Sequence, residues 1–175
     1  ARYLDGAIMA TPPMIGTPDA EILYSGDEGV FREAREVLDV WATSTFEGTD
    51  PGRASLLDLA MLSGMYVMFA GFLHGAAMVG ADGVDARSFA RRVTPFLAAM
   101  TEAFAVDAEA VDSGDYTSPT QSLDWSDLGH LVRASEEQGV DPAPIAMVER
   151  LRRRQVDAGH GAEDFARIYE SLRRR

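Results

Sequence analysis

The chain has 175 residues, 46% of them apolar, and its 16 basic against 28 acidic side chains give a formal net charge of −12. This composition excludes a disordered chain, and the acidic balance argues against binding to nucleic acid or to anionic lipid, both of which need basic surfaces. The absence of cysteine excludes disulfides, thiolate metal sites and cysteine nucleophiles. No secretory signal segment opens the sequence, so the cytoplasm is the expected compartment.

The first 50 residues predict a mixed α/β region. Strands are expected at residues 2–9, 20–25 and 44–47, and an amphipathic helix at residues 30–42. These strands are few for an independent sheet, and the chain opens with Ala1 rather than methionine. We therefore expect that an N-terminal portion precedes this sequence.

From residue 51 onward the pattern is helical, with breakers that separate successive helices. Asp85 is expected to cap a helix, Pro95 to break or kink one, and Gly139 to end one. The expected segments are helices at residues 52–80, 85–92 and 96–111, a loop at 113–119, and helices at 122–138, 144–158 and 163–174.

The helix at residues 52–80 is nearly all apolar, yet it carries Asp58, Tyr66 and His74. Buried polar groups without partners cost roughly 1–3 kcal/mol, so a buried helix with such groups either pairs them or lines a site. The helix is long enough to span a membrane, but these polar groups and the lack of flanking basic clusters favour the core of a soluble bundle or dimer.

Asp58 and Tyr66 are candidate site residues. Eight residues advance a helix by roughly 12 Å and turn it by about 80°, so the two side chains can line neighbouring sectors of one cleft. A tyrosine donates a hydrogen bond at neutral pH, and an ionised aspartate can hold an amine or iminium. The residues alone favour the alternative, in which Tyr66 is a core residue with a paired hydroxyl and Asp58 a helix acid stabilised by the dipole.

Other features predict structural roles or exclude chemistry. The sequence contains neither G-x-G-x-x-G nor a P-loop, and its three histidines lack a metal-ligand spacing, so no metal site is expected. By residue chemistry alone, Trp125 is expected to pack in the core and Tyr116 to belong to a lid. The arginines expected to lie on solvated faces are Arg150, Arg152, Arg153, Arg154 and residues 173–175.

Short motifs along nearly the whole chain resemble the NADPH-dependent imine reductases, including the reductive aminases. In order, they are YLDGAIM at residues 3–9, GTP at 16–18, YSG at 24–26, DPG at 50–52, FLHGA at 72–76, HLV at 130–132 and AGHG at 158–161. The match begins partway through the family pattern, without its nucleotide-binding domain.

The resemblance implies a mainly α fold with a small N-terminal α/β remnant, built on a long central helix plus a helical bundle in an intertwined homodimer. Residues 1–50 would be the end of a nucleotide-binding α/β domain, and residues 51–175 a helical dimerisation and substrate domain. The active cleft would lie between one subunit's nucleotide-binding domain and the other's helical domain, with NADPH bound mainly by the absent domain.

The same resemblance assigns roles to site residues. Tyr66 falls at the position of a catalytic Tyr or Asp, where it would donate a hydrogen bond or proton to the substrate nitrogen, and Asp58 would bind or deprotonate the amine. The residues expected to bind substrate are Asp124, Met65 and Trp125.

Two other functions stay open at this stage. The chain resembles the β-hydroxyacid dehydrogenases more distantly, but their catalytic lysine would fall near Leu56, which cannot protonate an alkoxide. A non-catalytic helical dimerisation module, with Asp58 and Tyr66 satisfied in its core, is the remaining alternative.

Overall fold

The computed structural model describes residues 2–117 and 119–173, and the chain divides into two compact units at residues 68 and 69. The first unit contains a small sheet and the second is helical, which confirms the predicted mainly α fold with an α/β start. The strands and helices are β1 (Leu4–Met9), β2 (Glu21–Gly26), α1 (Glu28–Leu38), β3 (Thr43–Phe46), α2 (Arg53–Ala81), α3 (Ala86–Met100), α4 (Phe104–Ser113), α5 (Gly129–Glu137), α6 (Ala143–Gln155) and α7 (Ile168–Leu172).

The sheet of the first unit has the order β1-β2-β3. Strand β1 pairs antiparallel with β2, from Leu4 opposite Gly26 to Met9 opposite Glu21. Strand β3 pairs parallel with β2, because α1 returns the chain to the same end of the sheet. All three predicted strands are confirmed.

Alternation along β2 divides its side chains between two apolar clusters. Ile22 and Tyr24 face α1, where they pack with Phe31, Ala20 and Ala42. Leu23 faces the other way and packs with Ala7 and with Ala54 in the first turn of α2. Because its neighbours cover both faces, β2 is a nearly continuous run of buried residues.

Helix α2 is far less buried than the sequence predicts. Ala54 is its one buried residue, and the most apolar stretch has a mean hydropathy of 1.8 with none of its residues buried. By length and composition α2 could cross a membrane; among the described residues it is the one helix that meets this test. Within the single chain Asp58 is half-buried and Tyr66 is exposed, because the sheet covers only the first turns of α2.

The helices of the second unit follow their predicted signals at several termini. The Asp85 carboxylate accepts a hydrogen bond from the Ser88 N–H at 2.9 Å and so caps α3, and Gly139 adopts φ 68° just past α5. Of the break or kink predicted at Pro95, the break does not occur, since α3 continues to Met100. Proline removes only the hydrogen bond to the Arg91 carbonyl, and this part of α3 is exposed, so water can satisfy that oxygen.

Two predicted helices of the second unit are shorter than expected. Residues 123–126 form a turn, residues 127 and 128 have no regular structure, and α5 starts only at Gly129. The last predicted helix, 163–174, is instead a 3₁₀ turn at Phe165–Arg167 followed by α7, while residue 174 and part of the predicted 113–119 loop lie outside the described residues. In both places the backbone groups that would form helical hydrogen bonds instead bond to the other segment, as in the antiparallel bridge between Ser122 and Asp164.

Candidate functional site

The start of α2 is fixed to the sheet by a single buried hydroxyl. Ser25 at the end of β2 is fully buried; its Oγ accepts a hydrogen bond from the Ala54 N–H at 3.0 Å and donates to the Pro51 carbonyl at 3.1 Å. The Ser55 hydroxyl also donates to the Asp5 carboxylate at 2.6 Å. The sheet therefore sets the direction in which α2 leaves it, and with that the placement of every side chain in its first turns.

Three of the predicted site residues lie on α2 within the first unit. Asp58 and Met65 are half-buried, and Tyr66 is 65% exposed. No hydrogen bond to the Asp58 carboxylate forms within residues 2–117 and 119–173. Tyr66 is therefore not a core residue of this chain, and Asp58 keeps its acceptor capacity for a group from outside.

The other two predicted site residues lie in a turn of the second unit. Asp124 is exposed and Trp125 is 79% exposed, so the expectation that Trp125 packs in the core is wrong. The turn is closed by Ser122, whose carbonyl accepts from the Ser126 N–H at 3.1 Å and from the Ser126 hydroxyl at 2.8 Å. An exposed indole on a well-fixed turn is suited to contact a ligand or a partner rather than a core.

A buried ion pair holds this turn from beneath. Leu123 is fully buried, and its carbonyl accepts a hydrogen bond at 2.8 Å from Arg152, a residue that is only 6% exposed. Arg152 also binds both oxygens of Glu149, through Nε at 2.7 Å and Nη2 at 2.9 Å. The prediction that Arg152 is solvated is wrong, because the guanidinium joins α6 to the turn.

The ion pair shifts the pKa of both partners in the direction that favours their charged forms. Hydrogen bonds from Arg152 lower the pKa of Glu149 to about 2, against the opposing effect of burial, and Arg153 adds to the shift. The Glu149 hydrogen bonds in turn raise the pKa of Arg152. Both groups therefore stay charged at neutral pH, and the pair is a structural clamp rather than a proton donor.

The remaining predicted features are structural. Tyr116 is 3% exposed, with its hydroxyl donating to Glu170 at 3.2 Å and Arg167 5.2 Å above its ring, so the lid prediction is wrong. His74 has a buried Nε2 without a hydrogen-bond partner among the described residues. In the part of the chain that the structure describes, no group of three or more His, Asp or Glu side chains could hold a metal ion.

Sequence reasoning missed the residues that fix the site: Ser25, Arg152 and, in the C-terminal segment, Asp164. Their side chains contact residues that are distant in the sequence; Ser25 and Ala54, for example, are 29 positions apart. Of the three, only Arg152 has a local sequence signal: it lies three positions after Glu149 on α6, a spacing that favours an ion pair.

The fold and these residues define the class of protein. The chain belongs to the NADPH-dependent reductive aminase-like family, since a family model of the C-terminal domain of these proteins matches residues 50–174. The resemblance to imine reductases and reductive aminases in the sequence is thereby confirmed.

Individual relatives agree with this placement. The chain is similar to an NADPH-dependent reductive aminase of Aspergillus oryzae (strain ATCC 42149 / RIB 40), with 41% identity over 176 residues, which are 97% of this chain and 60% of that protein. It is similar in structure to a reductive aminase from Aspergillus terreus in complex with NADPH and ethyl levulinate, with a TM-score of 0.93 at 42% identity, over 99% of this chain and 61% of that one. An imine reductase of Streptomyces aurantiacus matches with a TM-score of 0.89 at 26% identity, over 98% of this chain and 61% of that one.

The chain therefore spans about three-fifths of the length of the relatives that it matches, 60% of the Aspergillus oryzae protein and 61% of the Aspergillus terreus one.

Proposed function

We propose that this chain forms the substrate side of an NADPH-dependent oxidoreductase that reduces the C=N bond of imines or iminium ions to amines. The observation that carries the proposal is Tyr66, a phenol 65% exposed on a predominantly apolar helix, within the region that matches the reductive aminase-like family. Asp58 lies two turns before it on the same helix, at an axial separation of about 12 Å.

Both groups suit the chemistry of imine formation and reduction. As the carbon of C=N gains a hydride, the nitrogen gains a lone pair and takes up a proton; the Tyr66 hydroxyl can donate that proton, or it can stabilise the nitrogen by a hydrogen bond. The Asp58 carboxylate favours a cationic iminium or ammonium over a neutral carbonyl, and it can accept the proton that an attacking amine loses.

Bound NADPH would supply the hydride. This sequence offers no glycine-rich loop to cradle the dinucleotide phosphates, so its residues fit the substrate rather than the cofactor. We assign residues 1–50 to the end of the nucleotide-binding α/β domain and residues 51–175 to the helical dimerisation and substrate domain; the start of the family match at residue 50 supports this division.

The substrate-binding residues of the proposal are Met65, Asp124 and Trp125. Met65 is the residue next to Tyr66 on α2 and is half-buried, so it supplies a flexible apolar surface beside the phenol. Trp125 presents an indole to solvent, and aromatic faces bind amine cations well.

Hydroxyacid chemistry is the second candidate, and the composition opposes it. The position near which the β-hydroxyacid dehydrogenases carry a catalytic lysine is Leu56, and all 16 basic residues of this sequence are arginine. An arginine does not release its proton at neutral pH, so it cannot replace a lysine as an acid or base.

The test compares the two reactions in the complete polypeptide that carries this sequence. With NADPH it should reduce cyclic imines, and with NADP⁺ it should leave 3-hydroxy acids unoxidised; consumption or formation of NADPH is followed by absorbance. The 175-residue chain by itself serves as the control and should give no turnover. Oxidation of hydroxy acids without reduction of imines would refute the proposal.

We also infer that the chain forms a homodimer through α2 and acts in the cytoplasm. Apolar side chains are exposed along α2 and along the following helices of the second unit: Leu59, Val67, Met68 and Leu73, then Phe96, Met100, Phe104 and Val106. Exposed apolar surface of this extent marks an interaction surface, and an identical copy offers a complementary face.

The dimer predicts a specific response to a charge on α2. Leu73→Glu, at a side chain 64% exposed, should convert the dimer into a monomer, because burying a carboxylate in an apolar interface is unfavourable. The matched control is Val37→Glu on α1, a different helix, where the side chain is 62% exposed. Light scattering gives the mass; a wild-type monomer, or a dimer that persists in the Leu73 variant, would contradict the inference.

A further inference from the structure

The turn that carries Asp124 and Trp125 is paired along its length with a segment near the C-terminus. We call residues 120–126 the substrate turn and residues 160–167 the strap. The backbone bonds that join them are Leu123 N–H to Glu163 O at 2.9 Å, Asp124 N–H to Gly161 O at 2.8 Å and Phe165 N–H to Gln121 O at 2.9 Å, around an antiparallel bridge between Ser122 and Asp164.

The Asp164 carboxylate is the centre of this pairing. The residue is 8% exposed, and its Oδ2 accepts hydrogen bonds from the Thr120 N–H at 2.7 Å and the Gln121 N–H at 3.4 Å. Its Oδ1 accepts from the Ala166 N–H at 2.9 Å, so one charged group binds both the start of the turn and the strap itself. Hydrogen bonds to a charged acceptor are about twice as strong as neutral ones.

A closed triangle of side chains keeps the strap in shape. Arg167 donates to Glu163 at 2.6 Å and to the His160 Nε2 at 2.9 Å, and His160 Nδ1 lies 2.8 Å from the other Glu163 oxygen. Because Arg167 can only donate, Nε2 must accept, which leaves the proton on Nδ1 for Glu163. The same guanidinium covers the buried Tyr116 ring, so the strap is anchored in the unit rather than loose on it.

Gly161 brings strap and turn into close contact at Asp124. Its backbone has φ −56°, which any residue can adopt, so conformation does not require a glycine here. The lack of space requires it, because a Cβ added at this position would lie 2.6 Å from the Cγ of Asp124. The Asp124 side chain therefore lies directly over the strap, and its position depends on the strap.

We propose that the strap sets the position of the substrate turn, and that Asp164 is a positioning residue for amine or imine binding by Asp124 and Trp125. The inference rests on the proposed function, since it takes these two residues as part of the substrate side. It adds a determinant of substrate affinity that touches neither substrate nor cofactor.

The first test uses Asp164→Asn, with Asp157→Asn as the matched control at an exposed carboxylate of the neighbouring turn. The amide still occupies the space but places an NH₂ group against backbone N–H donors. Hydrogen exchange at the Thr120 and Gln121 amides of the 175-residue chain should accelerate by about tenfold or more, the effect expected for losing a hydrogen bond to a charged group. The control should leave both rates unchanged, and unchanged rates in Asp164→Asn would overturn the coupling.

The second readout is kinetic and uses the complete enzyme. KM for an imine should rise by about tenfold in Asp164→Asn, whereas kcat and the Kd for NADPH should stay within about twofold, because the turn is misplaced while Tyr66 is not. A variant that folds and keeps the wild-type KM overturns the positioning role. If the complete enzyme reduces no imine at all, the proposed function fails, and the exchange experiment still decides whether the strap holds the turn.

A second variant tests the same proposal if Asp164→Asn does not fold. Gly161→Ala leaves the backbone conformation allowed, and the atoms nearest to the added methyl are those of the Asp124 carboxylate, so it should raise KM in the same direction without loss of the folded state. In an Asp124→Ala background the added methyl has no carboxylate to meet, and Gly161→Ala should then leave KM unchanged. An equal effect of Gly161→Ala in both backgrounds would contradict the proposal.

Discussion

Replacing Glu149 with Gln is expected to lower the free energy of unfolding by about 3 kcal/mol or more at pH 7, the range measured when one partner of a buried ion pair is removed. The Glu149 side chain is 8% exposed and the Arg152 side chain 7%. The amide would leave the guanidinium charged, buried and facing an NH₂ group instead of a carboxylate oxygen. Chemical denaturation of the 175-residue chain measures the effect.

The same variant should change how stability depends on pH. The pKa of Glu149 falls from 4.5 to about 2 on folding, so this carboxylate stabilises the native state above its unfolded pKa and loses that contribution as pH falls through its folded pKa. The free-energy difference between wild type and Glu149→Gln should therefore be full at pH 7 and shrink between about pH 4.5 and pH 2.

Glu137→Gln is the matched control, at an exposed glutamate in the last turn of α5. It should change the free energy of unfolding by less than about 0.5 kcal/mol, as surface substitutions do. A Glu149 variant as stable as this control would mean that the pair contributes nothing to holding α6 against the substrate turn.

Local signals in the sequence were sufficient for the elements whose ends are fixed by nearby residues. Asp85 caps α3 through an N–H three positions away, and Gly139 ends α5 through its own backbone conformation. The strands were predicted for the same reason, because breakers such as Pro18 and Gly26 bound an apolar run. Neither kind of inference needs knowledge of what packs against the segment.

The failures come from contacts between distant parts of the chain. Residues 122–128 are predicted to be helical, yet the N–H groups of Leu123 and Asp124 bond to the strap some 40 positions later, so no helix forms there. The position of Arg152 late in a helix predicts an exposed side chain, but its guanidinium donates a hydrogen bond to the Leu123 carbonyl, 29 positions earlier. The candidate site shows the same division: the family resemblance predicts Asp58 and Tyr66 as site residues, whereas no local pattern indicates Ser25 or Asp164.

Replacing Tyr66 with Phe should lower kcat for imine reduction by about 10²-fold or more in the complete enzyme, which is the typical contribution of a general acid. The substitution removes one hydroxyl from a side chain that is 65% exposed, so it leaves the core unchanged. KM should change less than kcat, because the hydroxyl matters most as the nitrogen gains negative character in the transition state.

Tyr169→Phe is the matched control for the loss of a phenol hydroxyl. This tyrosine lies on α7, is 39% exposed, and uses its ring rather than its hydroxyl to contact Arg173, at 5.8 Å from the ring centroid. Its kcat should stay within about twofold of wild type, the scatter expected of a residue that contacts neither substrate nor reacting atoms. If Tyr66→Phe behaves like Tyr169→Phe, the proton reaches the nitrogen from another group, and Tyr66 is left as part of the apolar surface of α2.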